Sequence, residues 1–166
     1  MDISVVIPVY GCRAALPELH QRLVNTLEGL VEEFEIILVD DRCPQNSWEV
    51  IKNICENDKR TVGVRLARNF GQIKAITAGL EQADGDWVVV MDCDLQDRPE
   101  GIAELYKKAL EGYDVVFSKR HHRKDSTVTK LLSKGFYKVY NYFTEGNYDS
   151  SVNNFSIISR KVINYY

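Results

Sequence analysis

The sequence predicts an α/β domain: a doubly wound, mostly parallel sheet with helices on both faces. Three observations carry that prediction. Five short runs of β-branched and other apolar residues lack the polar alternation of a half-exposed sheet, so they suit strands covered on both sides. Stretches of helical period separate them in the order β-α-β-α-β-α-β-α-β, which implies right-handed crossovers and parallel strands. The polar residues capable of chemistry gather just after the runs, and doubly wound sheets bind ligands beyond the carboxyl ends of their strands.

Residues 3–9 form the first run, and residues 35–39, 62–66, 87–91 and 114–117 the next four. Between the first two, Leu16, Leu19, Leu23, Leu27 and Leu30 recur at spacings of three and four, one apolar stripe along a helix. Asn46 or Ser47 can cap a second helix reaching about residue 57. A third is expected over residues 72–82, and a fourth opens near Pro99, a residue suited to a first turn, and ends near residue 110. After Ser118 comes a basic loop, Lys119-Arg120-His121-His122-Arg123-Lys124, then a helical stretch rich in Tyr and Phe over residues 128–143, and a last strand over residues 154–158.

A chain of 166 residues accommodates one domain. Its 45% apolar and 27% charged residues belong to a soluble globular protein and exclude disordered, collagenous and coiled-coil classes. A formal charge of -3 excludes a general nucleic-acid binder, which needs a basic surface. No apolar run reaches membrane-spanning length, and Asp2 stands where a signal peptide carries positive charge. The four cysteines, Cys12, Cys43, Cys55 and Cys93, show no C-x-x-C pair and read as reduced, buried thiols of a cytoplasmic protein.

Asp92 and Asp94 end a buried apolar strand two residues apart, so both carboxylates face one site if the strand persists. Such a pair calls for a compensating cation, and Mg²⁺ or Mn²⁺ takes carboxylates together with substrate phosphate oxygens. The same aspartates equally serve as a strand end and as caps for the helix at Pro99. Asp40-Asp41 ends a second strand and can accept hydrogen bonds from a base or ribose. The segment Arg68-Asn69-Phe70-Gly71 precedes the third helix, whose N-terminus with Lys74 favours an anion.

The segments Val5-Val6-Ile7-Pro8-Val9-Tyr10, Glu35 through Asp41, Arg68-Asn69-Phe70-Gly71, and Asp92-Cys93-Asp94-Leu95-Gln96-Asp97-Arg98-Pro99-Glu100 occur in that order. On these residues the chain resembles the family 2 glycosyltransferases of the GT-A fold, most of all the polyprenyl-phosphate sugar transferases related to dolichol-phosphate mannose synthase. The resemblance implies that Pro8, Tyr10, Asp40 and Asp41 hold base and ribose, that Asp92 lies beside ribose and diphosphate, and that Asp94 with Gln96 coordinates the metal. It implies a nucleotide diphosphate sugar donor and a polyprenyl-phosphate or glycan acceptor. Membrane association would come through segments absent from this chain.

Three positions depart from the family pattern: Gly11-Cys12 replaces Asn-Glu, Arg42-Cys43 replaces Gly-Ser, and Asn153-Asn154-Phe155-Ser156 replaces Gly-Asp-Phe-Arg. Asn154 has no basic oxygen, so a catalytic base must be another acid, Asp97 or Asp149, unless an already ionised lipid phosphate needs none. The ending at Asn164-Tyr165-Tyr166 falls inside a helical pattern, and a domain truncated at its C-terminus is expected. Two rivals stand beside the transferase reading: a receiver-like signalling domain, whose acidic pair follows the first strand instead of the second, and a catalytically silent nucleotide-binding module. P-loop and dinucleotide-binding glycine patterns are missing.

Overall fold

The computed structural model describes residues 1–119 and 152–165. Six strands, β1 (Ile3–Val9), β2 (Phe34–Asp40), β3 (Thr61–Arg65), β4 (Trp87–Val90), β5 (Val115–Lys119) and β6 (Val152–Ser159), form one sheet in the order β3-β2-β1-β4-β6-β5. β1 runs parallel to β2 and β4, and β2 parallel to β3, whereas β6 is antiparallel to β4. The doubly wound sheet expected from the sequence is therefore present as a mixed sheet. β6 begins two residues earlier than the strand expected over residues 154–158.

Among the described residues the helices are α1 (Leu16–Glu28), α2 (Ser47–Asn57), α3 (Gln72–Leu80), α4 (Ile102–Ala109) and α5 (Arg160–Ile163). All residues of β1 and β2 are buried, as their unbroken apolar character demands. On one face Ile3, Val5, Ile7, Ile36 and Leu38 meet Leu16, Leu19, Leu23 and Leu27 of α1 and Ile102 of α4. Burying one such side chain contributes about 1.5–3 kcal/mol, so the leucine stripe alone fixes the face α1 presents. On the other face Val6, Ile37, Val39 and Val88 meet Ala75 of α3. There α3 lies close to the sheet, since a Cβ at Gly79 would collide with Val6 and Val39.

Pro99 opens a 3-10 turn, Pro99–Gly101, that leads into α4 instead of forming its first α-helical turn. Asn46 precedes α2 in the left-handed region, φ 56°, without a side-chain cap bond, so it turns the chain and does not cap it. Met1–Phe117 with Asn154–Tyr166 make one compact unit, and Ser118–Asn153 make a second. Most of the basic loop, the helical stretch 128–143 and Asp149 lie outside the described residues. Among the described residues no helix is long and apolar enough to cross a membrane.

One cysteine expectation is corrected. Cys12 and Cys93 form a disulfide, with Cα atoms 6.0 Å apart, while Cys43 and Cys55 are free. Their 81-residue separation hides the pairing in sequence, but β1 and β4 are sheet neighbours, so the residues that follow these strands meet in space.

Candidate functional site

The order β3-β2-β1-β4 places the reversal of winding between β1 and β4, and doubly wound sheets open a crevice at such a point. A cavity of about 330 Å³ lies there. Pro8 and Tyr10 leave β1 to form one wall, and Asp41 follows β2. Asn69, Gly71 and Gln72 come from the turn into α3, and Asp92, Cys93 and Asp94 follow β4.

Asp41 organises the turn. Its Oδ1 accepts the Phe70 N–H at 2.7 Å and its Oδ2 the Gly71 N–H at 2.9 Å. Gly71 has φ +89° and ψ 161°, a conformation that costs glycine little and other residues much. The result is that Gln72 starts α3 facing the end of β4, where its Nε2 donates to Asp92 Oδ1 at 2.6 Å. Asp94 Oδ1 accepts the Gln96 N–H at 3.0 Å, and Leu95 between them takes φ 62°. A left-handed non-glycine residue costs about 1–3 kcal/mol and persists only where its surroundings impose it.

Asp40 occupies a different environment. It is 1% exposed and lies outside the cavity wall, with Oδ2 3.2 Å from Arg65 Nε and Oδ1 accepting the Cys43 N–H at 3.0 Å. Arg65 in turn stacks over Trp48. Asp40 thus anchors the loop after β2. Cys43 accepts hydrogen bonds from Ser47 Oγ at 3.0 Å and the Gly11 N–H at 3.2 Å. Burial pushes this thiol up, but hydrogen bonds from Ser47 and the Gly11, Gln45 and Ser47 backbones outweigh burial and hold it below the ordinary range.

Of the residues singled out in the sequence, the cavity wall brings together Pro8, Tyr10, Asp41, Asp92 and Asp94. Lys74, Gln96 and Asp97 are not part of it; Lys74 and Gln96 are exposed and Asp97 is 5% exposed. Asn154, exposed on β6, is likewise outside the wall. Sequence reasoning passed over Gln72. The available signal was its place beside Gly71 at the start of α3.

Among the described residues no three His, Cys, Asp or Glu side chains converge on a metal position. Asp92 and Asp94 nevertheless offer hard oxygens on one wall, a set that suits Mg²⁺ or Mn²⁺ when substrate phosphates complete the shell. The residues present therefore fit such an ion. Arg68, stacked on Phe70 at 4.5 Å, stands on the same turn as Asn69 and Gly71 and adds positive charge there.

The sequence model described as "Glycosyl transferase family 2" matches residues 4–165. The undecaprenyl-phosphate 4-deoxy-4-formamido-L-arabinose transferase of Proteus mirabilis is 44% identical over 133 residues, 80% of this chain and 41% of that protein. The Pseudomonas syringae protein of the same name is 46% identical over 133 residues, 80% of this chain and 40% of its own. The chain thus spans about two-fifths of these relatives, 41% and 40%. A mannosyltransferase from Pyrobaculum calidifontis, solved with GDP-Man and Mn²⁺, superposes with TM-score 0.61 at 15% identity, covering 98% of this chain and 46% of that one. S. aureus TarS 1-349 with UDP gives TM-score 0.54 at 23% identity, covering 76% and 38%. These two likenesses establish the GT-A α/β fold.

Proposed function

The chain belongs to glycosyl transferase family 2, and from that premise we propose that it is the donor-binding part of an enzyme that moves a sugar from a nucleoside diphosphate sugar to a polyprenyl phosphate. The observation that carries this reading is the cavity at the β1/β4 switch point. It unites Pro8, Tyr10 and Asp41 on one side with Asp92 and Asp94 on the other, a nucleoside end and a diphosphate end. Relatives named for an undecaprenyl-phosphate acceptor support the lipid half of the proposal. A lipid acceptor sets the reaction at a membrane surface, on the cytoplasmic side in this reading, within cell-envelope biosynthesis.

Tyr10, 54% exposed at the cavity mouth, offers a ring for the base to stack on. Each Asp41 oxygen accepts one backbone N–H and has a second lone pair that a ribose or base donor would use. Asp92 and Asp94 would hold Mg²⁺ or Mn²⁺, which when bound supplies positive charge to the departing diphosphate. Lys74 and Gln96, close in sequence to the wall residues, would engage the diphosphate and the ion.

The test is a thermal-shift titration of UDP and GDP with Mn²⁺ or with chelator. A ligand that binds only the folded chain raises its melting temperature with concentration. The expected result is a shift with Mn²⁺ that is lost with chelator and lost in Asp94→Ala. Equal shifts with chelator present would reject the metal, and no shift with any nucleotide would reject the donor site.

A further inference from the structure

We infer that Gln72 is a positioning residue of the donor site, acting through Asp92, and that Asp41 sets its place. The inference deepens the proposed function and rests on it. Gln72 Nε2 donates to Asp92 Oδ1 at 2.6 Å, the shortest side-chain bond on the cavity wall. The bond uses one oxygen of Asp92 and leaves the second for a ligand. Because the donor is a neutral amide, it orients the carboxylate without cancelling its charge, as a lysine or arginine would. A divalent ion facing Asp92 would therefore meet an oriented carboxylate oxygen.

The geometry is built for this contact and not merely compatible with it. Gln72 is the first residue of α3, so its position depends on the turn before it. That turn is held by both oxygens of Asp41, through the Phe70 and Gly71 N–H groups, and by the left-handed Gly71. One chain of bonds thus runs from the nucleoside end of the cavity to the carboxylate at its diphosphate end. Both Gln72 and its bond to Asp92 are exposed, so packing does not account for the contact. Groups that orient a metal-binding carboxylate typically carry tenfold to hundredfold of the metal affinity.

The experiment compares two substitutions on the whole chain by titration calorimetry with UDP and GDP, in Mn²⁺ and in EDTA. Gln72→Met keeps length and helix preference but removes the donor; Gln72→Lys keeps a donor in reach. Gln72→Met should lower nucleotide affinity in Mn²⁺ by about tenfold or more while leaving affinity in EDTA and the melting temperature unchanged. Gln72→Lys adds a charge that offsets that of Asp92, so it should not recover the Mn²⁺-dependent affinity, and full recovery would overturn the role given to the neutral amide. Parallel losses in Mn²⁺ and EDTA would overturn the inference by showing that Gln72 touches the nucleotide itself, and wild-type affinity in Gln72→Met would overturn it outright. Wild-type protein that binds neither nucleotide would instead overturn the donor-site reading, and this inference with it.

Discussion

Cys12 and Cys93 join the ends of β1 and β4, the two strands between which the cavity opens. The bond links residues 81 apart in sequence, and Cys93 sits between Asp92 and Asp94 of the cavity wall. Losing a native disulfide costs about 2–5 kcal/mol, chiefly by freeing the unfolded chain. A dithiol reductant should therefore lower the urea midpoint of the wild-type protein by a corresponding amount. Cys12→Ser/Cys93→Ser should start from that lower midpoint and ignore the reductant. Identical midpoints for oxidised and reduced wild type would show that the bond contributes no stability.

Asp40 and Asp41 should separate by phenotype. Asp40→Ala removes the partner of Arg65 and the acceptor of the Cys43 N–H, and is expected to cost about 1.5–3 kcal/mol of stability with nucleotide affinity retained. Asp41→Ala, on the cavity wall, is expected to weaken nucleotide binding by about 1.5–3 kcal/mol. Denaturant titration and calorimetry on both variants check the pair; a reversal of the two phenotypes would put the nucleotide elsewhere.

That separation marks the limit of what the sequence reveals. The β-branched runs locate five strands, and the leucine stripe locates α1, because burial on a sheet face and along a helix writes itself into residue periodicity. Asp40 and Asp41 carry the same side chain at adjacent positions, and only the turn of the chain after β2 decides that one faces Arg65 and the other the cavity. Gln72 reads in sequence as an ordinary helix former; its partner Asp92 is 20 residues away and is brought near by the sheet. The Cys12–Cys93 bond is hidden for the same reason. Strand direction is also silent in an apolar run, which is why the antiparallel β6 is a finding of the structure.

Acid should loosen the support of the loop that carries Asp92 and Asp94. Arg22 on α1 grips Glu100 with Nε–Oε1 2.8 Å and Nη2–Oε2 2.7 Å, just beyond that loop. The Arg22 guanidinium holds the Glu100 carboxyl down to about 2. A carboxylate depressed on folding contributes stability that is complete above its unfolded pKa of about 4.3 and is lost as pH falls toward the folded value. Both partners are partly exposed, so screening keeps the contribution to about 1 kcal/mol or less. Urea midpoints between pH 7 and 2 should fall below about pH 4.3, and less steeply in Arg22→Ala. Equal slopes in the two proteins would remove this pair from the account.

The last prediction concerns proton transfer to a base. A hydroxyl acceptor sheds its proton as it attacks, and the helper must lie within hydrogen-bond reach. Asp97 is 5% exposed and outside the cavity wall, and Asn154 has no basic oxygen. A polyprenyl phosphate arrives already ionised and needs no base, which agrees with this arrangement and with the proposed acceptor. Asp97→Asn should then keep the shape of the wild-type pH–rate profile, whatever its effect on stability. Asp149, which lies outside the described residues, is tested by the same substitution. An acidic limb in kcat that disappears in either variant would identify a carboxylate base and turn the acceptor assignment from a lipid phosphate toward a sugar hydroxyl.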